Sequence, residues 1–215
     1  MNRQLFKYVF LSLLFLSETV FSQELIPANE VQKNDIINQI TSSSKNTTTL
    51  ECKFIQEKNL SMLSEKIVSE GIMYFQKENN LRWQYNKPYP FIFILSGNKV
   101  YIKNDKRTDK FDTNSNKMFK EISEIMIGGV NGDLLLNNKK FTAEYFCNPT
   151  IAEVRLVPKD KEIKQLFSQI NLRFSKTDWL VKSIEMKEPG GDNTLINFTG
   201  KYVNNKISED LFRSN

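Results

Sequence analysis

The sequence predicts a mainly β fold with helices (α+β), its strands joined antiparallel into one sheet that curls as a barrel or half-barrel. Three observations carry this prediction. Residues 71–88 alternate bulky apolar and polar groups on either side of a break at Glu78-Asn79-Asn80, as two strands joined by a short turn do. The second half of the chain repeats period-two segments at even spacing, separated by turn-forming Asn, Pro, Gly and Asp. Residues 27–44 and 116–127 instead space their apolar groups as helices do.

Taken in order, residues 1–22 read as an export signal. Arg3 and Lys7 flank the start, 8–16 is an apolar run, and Val20 and Ser22 supply the small residues of a cleavage site before Gln23. The run is well short of the ~20 residues a spanning helix needs. The cleavage site carries no cysteine for a lipid anchor, so residues 23–215 are expected as one exported, soluble domain in the periplasm.

In that domain, 27–44 reads as a helix with a Val31, Ile36, Ile37, Ile40 stripe, and 47–58 as a strand with Leu50, Cys52 and Phe54 on one face. A turn at 59–64 leads into a strand over 65–75 and the central hairpin, closed by Pro88 and Pro90. Residues 91–95 form a continuous apolar run, expected as a strand covered on both faces, and 96–98 turn into a strand over 99–103. Residues 104–116 read as a solvated loop. Residues 116–127 read as a helix that Gly128-Gly129 stops. Strands are then expected at 139–147, 151–157, 169–175, 180–187 and 194–200, with a short helix at 160–167.

Composition narrows the chemistry. The 215 residues contain no histidine, which removes the commonest general base and most catalytic zinc sites. The net charge of +5 is scattered over loops, unlike the concentrated basic face of a nucleic-acid binder. No calcium-type ligand spacing occurs in 104–116, and no cofactor or metal is implied. Asp192 beside Gly190-Gly191 is the most site-like carboxylate, and a turn residue is the better reading of it. The chain is therefore expected not to be an enzyme. Cys52 and Cys147 are the only cysteines. In an oxidising compartment they form a possible disulfide, with two buried free thiols as the equal alternative.

The hairpin strand running through a turn into Leu81, Arg82-Trp83, Tyr85 and Pro88 resembles the signature of the periplasmic lipoprotein carriers called LolA. Phe54-x-Gln56-x-Lys58, the segment 95–101, Leu156-Val157-Pro158, Leu172-Arg173-Phe174 and the segment 191–198 are similar to that family in the same order. The resemblance implies an unclosed antiparallel β-barrel, a half-barrel with an apolar cavity covered by helices. It implies a chaperone that carries the acyl chains of lipoproteins from the inner to the outer membrane. Its partners would be acylated lipoproteins, an inner-membrane lipoprotein-releasing transporter and an outer-membrane acceptor, and the chain itself would be a monomer.

On that reading Met73, Phe75, Leu81, Trp83, Phe91 and Phe93 are the expected cavity wall. Alternation leaves the inward phase open, with Tyr74 and Tyr85 assigned to the mirror choice. Lys77, Met118, Phe119 and Ile122 are the expected lid. The family's arginine, which bonds the lid shut, is replaced here by Lys77, a point donor without a guanidinium's planar fork. The same cavity would serve a carrier or sensor of another amphiphile, such as a phospholipid, lipopolysaccharide or polyene lipid.

Overall fold

Period-two alternation needs a sheet with one dry face, and the computed structural model provides a single one. It describes residues 24–115, 117–136 and 139–214, without the side chains of Lys117, Met118, Asp133 and Leu136. The expected export signal over 1–22 lies outside the described residues. In chain order the elements are β1 (Ile26–Pro27), α1 (Glu30–Asn46), β2 (Thr49–Asn59), β3 (Ile67–Gln76), β4 (Asn80–Lys87), β5 (Phe91–Ser96), β6 (Lys99–Lys103) and β7 (Thr108–Asp112). There follow α2 (Lys117–Asn131), a 3-10 turn (Asp133–Leu136), β8 (Phe141–Cys147), β9 (Ile151–Pro158), α3 (Lys161–Leu166), β10 (Gln169–Ser175), β11 (Val181–Lys187), β12 (Asn193–Val203) and a second 3-10 turn (Glu209–Phe212).

Among the described residues the strands form one 12-stranded sheet in the order β1-β8-β9-β10-β11-β12-β2-β3-β4-β5-β6-β7. Every neighbouring pair is antiparallel. β1 and β7 are its two ends and do not pair, so the sheet curls without closing. Its inner face is apolar: Phe54, Met73, Leu81, Leu156, Ile170 and Phe174 are all but fully buried.

Three expectations are corrected. Residues 104–116 are not all loop, because Thr108–Asp112 pairs with β6 as the outermost strand. Only Phe111 in that strand packs on the core, and charged neighbours such as Asp109 and Lys110 suit an edge that must not recruit another chain. The second correction is that α2 runs through Gly128-Gly129. A Cβ on Gly128 would lie 2.8 Å from Leu134 Cγ, and one on Gly129 would lie 3.2 Å from Ile184 Cδ1. These glycines allow close packing inside the helix, and Gly132 at φ +81 follows its end. The third correction moves the start of α1. Pro27 pairs with Phe146 in β1, and Asn29 caps the helix in a box with Gln32. Ile36 and Ile40 are buried, whereas Val31 is exposed. Five residues turn an α-helix about 500°, which puts Val31 about 140° from Ile36.

Residues 91–95 are buried on both sides only in part. Phe93 and Leu95 face the core, while Ile94 lies opposite Arg82 on the other face and is still buried. The C-terminal turn packs on β4 and β5, held by Arg82 Nη1 donating to the Leu211 carbonyl at 3.1 Å. Phe91, at the strand's start, is exposed.

Gly71 lets β3 run close against β4. The β3–β4 register shifts beside it, and a Cβ there would sit 2.1 Å from the Gln84 carbonyl oxygen and 2.4 Å from the Phe54 ring. A strand glycine at a bulge commonly marks such an approach. Gly71→Ala is expected to lower stability by about 2 kcal/mol through overpacking, read as a lower urea midpoint. An unchanged midpoint would show that the ring and strand give way freely.

Candidate functional site beneath and beside the long amphipathic helix

The sheet register settles the inward phase of the central hairpin. Met73 opposes Trp83, and Phe75 opposes Leu81, and these four are buried. Tyr85 shares the phase of Leu81 and Trp83. Only Tyr74 lies on the opposite face, so the pairing of Tyr74 with Tyr85 as mirror choices is corrected. The inner aromatics form one cluster: Phe54 lies 4.8 Å from Trp83 and 5.1 Å from Tyr85, and Trp83 lies 5.8 Å from Phe198. The Tyr85 hydroxyl donates to Gln56 Oε1 at 2.8 Å, and burial pushes its pKa up to about 12. Trp83 Nε1 is buried with no hydrogen-bond partner among the described residues.

The six expected wall residues therefore divide. Met73, Phe75, Leu81, Trp83 and Phe93 belong to the packed core. Phe91 stacks on Tyr85 at 4.2 Å and borders a shallow groove of about 210 Å³ at the far end of β4 and β5.

The inner face is covered by helices. α2 contributes Ile125, Ile127 and Val130 to the core, and the 3-10 turn after it adds Leu134 and Leu135. Of the expected lid residues, Phe119 is half-buried and stacks on Phe111 at 4.2 Å. Ile122 is half-buried, and the side chain of Met118 lies outside the described residues. Lys77 reaches α1, one of the covering helices. Its Nζ donates to the Lys45 carbonyl, tying the β3–β4 turn to the last turn of α1. The short turn and the proximity of α1 direct the lysine there, and α2 is fastened by a different residue.

That residue is Lys140, just before β8. Its Nζ donates to Glu121 Oε1 and Oε2 at 2.9 and 2.7 Å and to Glu124 Oε2 at 2.6 Å. Glu121 is only 5% exposed. Burial lowers the Lys140 pKa, but the hydrogen bonds and charges of the two glutamates outweigh it and hold the ammonium above the usual lysine range. Glu121 and Glu124 are three residues apart, so they share one side of α2. That spacing, with lysines at 139 and 140, was the available sequence signal.

Beside the clamp a pocket of about 300 Å³ opens between α2, the β5–β6 turn and the start of β8. Its lining includes Leu95, Asn98, Glu121, Ser123, Ile127 and Phe141, and none of the six expected wall residues.

Two other groups singled out in the sequence resolve as structural. Asp192 Oδ1 accepts from the Ser61 backbone N–H at 2.7 Å and from its hydroxyl at 2.8 Å, clipping two turns together. Those bonds hold its carboxyl below the usual range. Cys52 and Cys147 are buried free thiols, so the possible disulfide is corrected. They sit on β2 and β8, with four strands between them in the sheet. Among the described residues no group of His, Cys, Asp and Glu is placed to hold a metal ion, and no helix is long and apolar enough to cross a membrane.

Residues 45–215 match the family model described as "Outer membrane lipoprotein carrier protein LolA". The chain belongs to the LolA family. Curated relatives named "Outer-membrane lipoprotein carrier protein" agree with this placement. The one from Nitrosospira multiformis is 23% identical over 184 residues, covering 82% of this chain and 83% of its own. The one from Cupriavidus taiwanensis is 23% identical over 150 residues, covering 67% of this chain and 65% of its own. The match thus spans just under two thirds of that relative's length. The fold is similar to a solved structure of an uncharacterized conserved protein from Thermus thermophilus. That similarity has a TM-score of 0.51 at 11% identity and covers 85% of this chain and 94% of the other.

Lys140→Ala strands the buried Glu121 and is expected to cost about 2 kcal/mol. That is less than the ~3–5 kcal/mol of a fully buried pair, because a quarter of the lysine side chain meets solvent. Since the folded pKa is raised, the clamp's contribution is complete below the unfolded lysine value of about 10.4 and is lost as pH rises through the higher folded value. Urea midpoints of wild type and variant are expected to differ at pH 8 and to converge above that value. A gap that stays constant with pH would mean the loss is one of packing alone.

Burial raises the Cys52 thiol to about 12. Its contribution is complete below the unfolded thiol value of about 8.5 and is lost as pH rises toward the folded one. Cys52→Ala is expected to flatten the fall of stability between about pH 8.5 and 12. Equal slopes in the two proteins would contradict this assignment.

Proposed function

We propose that this LolA-family chain is a periplasmic lipoprotein chaperone that takes acyl chains into its interior and carries them from the inner to the outer membrane. One observation carries the reading: the apolar inner face of an unclosed sheet is covered by helices, chiefly the amphipathic α2 and its following turn, where a sandwich would place a second sheet. A covering helix can be exchanged for cargo. Lifting α2 removes Ile125, Ile127 and Val130 from the inner face, and acyl chains replace one apolar contact by another. In water each methylene would cost about 0.8 kcal/mol, so two or three chains cannot cross an aqueous space unprotected.

In the loaded state Met73, Phe75, Leu81, Trp83 and Phe93 line the acyl chains, with Phe91 at the rim. Met118, Phe119 and Ile122 move with the lid. Residues 1–22 direct export. An inner-membrane releasing transporter supplies cargo and an outer-membrane acceptor of higher affinity removes it, and a ligand's differential affinity suffices to drive the opening. No catalytic step enters this reading.

The two tryptophans allow a test read at Trp83, because Trp179 is only half-buried where it packs against the core. Trp179→Phe leaves Trp83 as the remaining indole. A triacylated lipopeptide with brominated acyl chains is expected to quench Trp83 fluorescence saturably. The same phospholipid chains, added as competitor, are expected to relieve little of that quenching. Full relief by phospholipid would make the chain a general lipid carrier, and absence of quenching would mean the interior does not admit acyl chains.

A further inference from the structure

The pocket beside α2 has two unlike walls. Leu95, Ile127, Leu134 and Phe141 form an apolar one that continues into the core. Glu121, Ser123 and Glu124 of α2, with Lys140 opposite, form a polar one. At about 300 Å³ it stands at the small end of ligand sites. That is room for a head group and its linkage.

The polar wall is specific in what it offers. Ser123 is 5% exposed, and its hydroxyl has no hydrogen-bond partner among the described residues. A buried polar group left in that condition is uncommon and is relieved by an incoming partner. The charge balance is uneven, because one ammonium, Lys140, serves two carboxylates. The other cation in the lining, Lys120, is exposed at the rim, where solvent and salt screen it. The inner part of the pocket thus keeps an excess negative charge next to a free hydroxyl and an apolar floor.

We infer that this pocket seats the uncharged ester- and amide-bearing head of an acylated peptide, with Ser123 donating to a linkage carbonyl, and that Glu121 and Glu124 repel ligands whose head carries phosphate. The inference rests on the proposed acyl-carrier reading and adds to it a basis for choosing among amphiphiles that share the same chains. The acyl chains alone cannot make that choice, since the apolar interior sees them as identical. A like charge held close in a partly buried site discriminates by an order of magnitude or more.

The test is displacement of a fluorescent triacylated lipopeptide from the full mature protein, residues 23–215, by phosphatidylglycerol or by diacylglycerol of the same chains. In wild type at low salt, diacylglycerol is expected to compete about tenfold better than phosphatidylglycerol, with the gap narrowing at high salt. Glu124→Gln is expected to close most of the gap. Its residue is the more exposed carboxylate of the pair, and thermal unfolding checks that the variant is folded. Ser123→Ala is expected to weaken lipopeptide binding several-fold. Equal competition by the two lipids in wild type, or a gap unmoved in folded Glu124→Gln, would overturn the inference while leaving acyl carriage intact. A lipopeptide that does not bind wild type at all would remove the carrier reading and this inference together.

Discussion

A sheet that curls without closing must hide a concave apolar face with something other than itself. Everything distinctive in this chain answers that constraint. α1 and α2 cover the face, the glycines of α2 let it sit close to Leu134 and Ile184, and the 3-10 turn after it plugs the space the helix does not reach. Because a helix shields a narrower strip than a sheet does, the seal is made of side chains such as Ile125, Ile127 and Val130. The polar fastening sits at the margin, where Lys140 meets Glu121 and Glu124. Polar contacts in the middle of the interior would have had to break inside an apolar space, at far greater cost.

The same constraint explains why the hairpin of β3 and β4 is rich in aromatics. Phe54, Trp83, Tyr85 and Phe198 touch edge to face or at a tilt, which fills a concavity without a second sheet to interdigitate. The convex side has the opposite problem. There Arg82 draws the C-terminal turn onto β4 and β5, and Phe212 is buried against that surface. One residue in the signature hairpin thereby anchors the end of the chain.

Much of this was legible in the sequence, for identifiable reasons. Alternation is a local property, so the strands from β2 to β6 and from β8 to β12 could be read to within three residues at their ends, and α3 to within one, since Asp160 caps it rather than starting it. β7 was missed because charged residues occupy most of an edge strand, which removes the apolar signal. The glycines of α2 read as a stop because sequence does not distinguish a glycine needed for its φ from one needed for its lack of a Cβ. Parity alone could have grouped Tyr85 with Trp83, although only the register gives the direction in which both point. The clamp left only a faint signal, because it joins two glutamates of a helix to one lysine 19 and 16 positions later. The likeness to a known family supplied what local patterns cannot, namely that the barrel is open. The same likeness pointed to Lys77, whose reach to the Lys45 carbonyl is decided by the neighbouring end of α1.

The strand order has a further consequence, and it concerns time. β2 to β7 pair in sequence order, and so do β8 to β12, so each block can zip up from hairpins. One seam joins them, where Asn59 meets Asn193 across 134 residues of chain. Closing so long a loop draws on entropy before any contact repays it, and folds dominated by such pairings form slowly. Until β12 reaches β2, both blocks present a long unpaired edge to every other copy of the chain. The yield of refolding is therefore governed by dilution and by the speed of that one docking event, more than by how stable the finished sheet is.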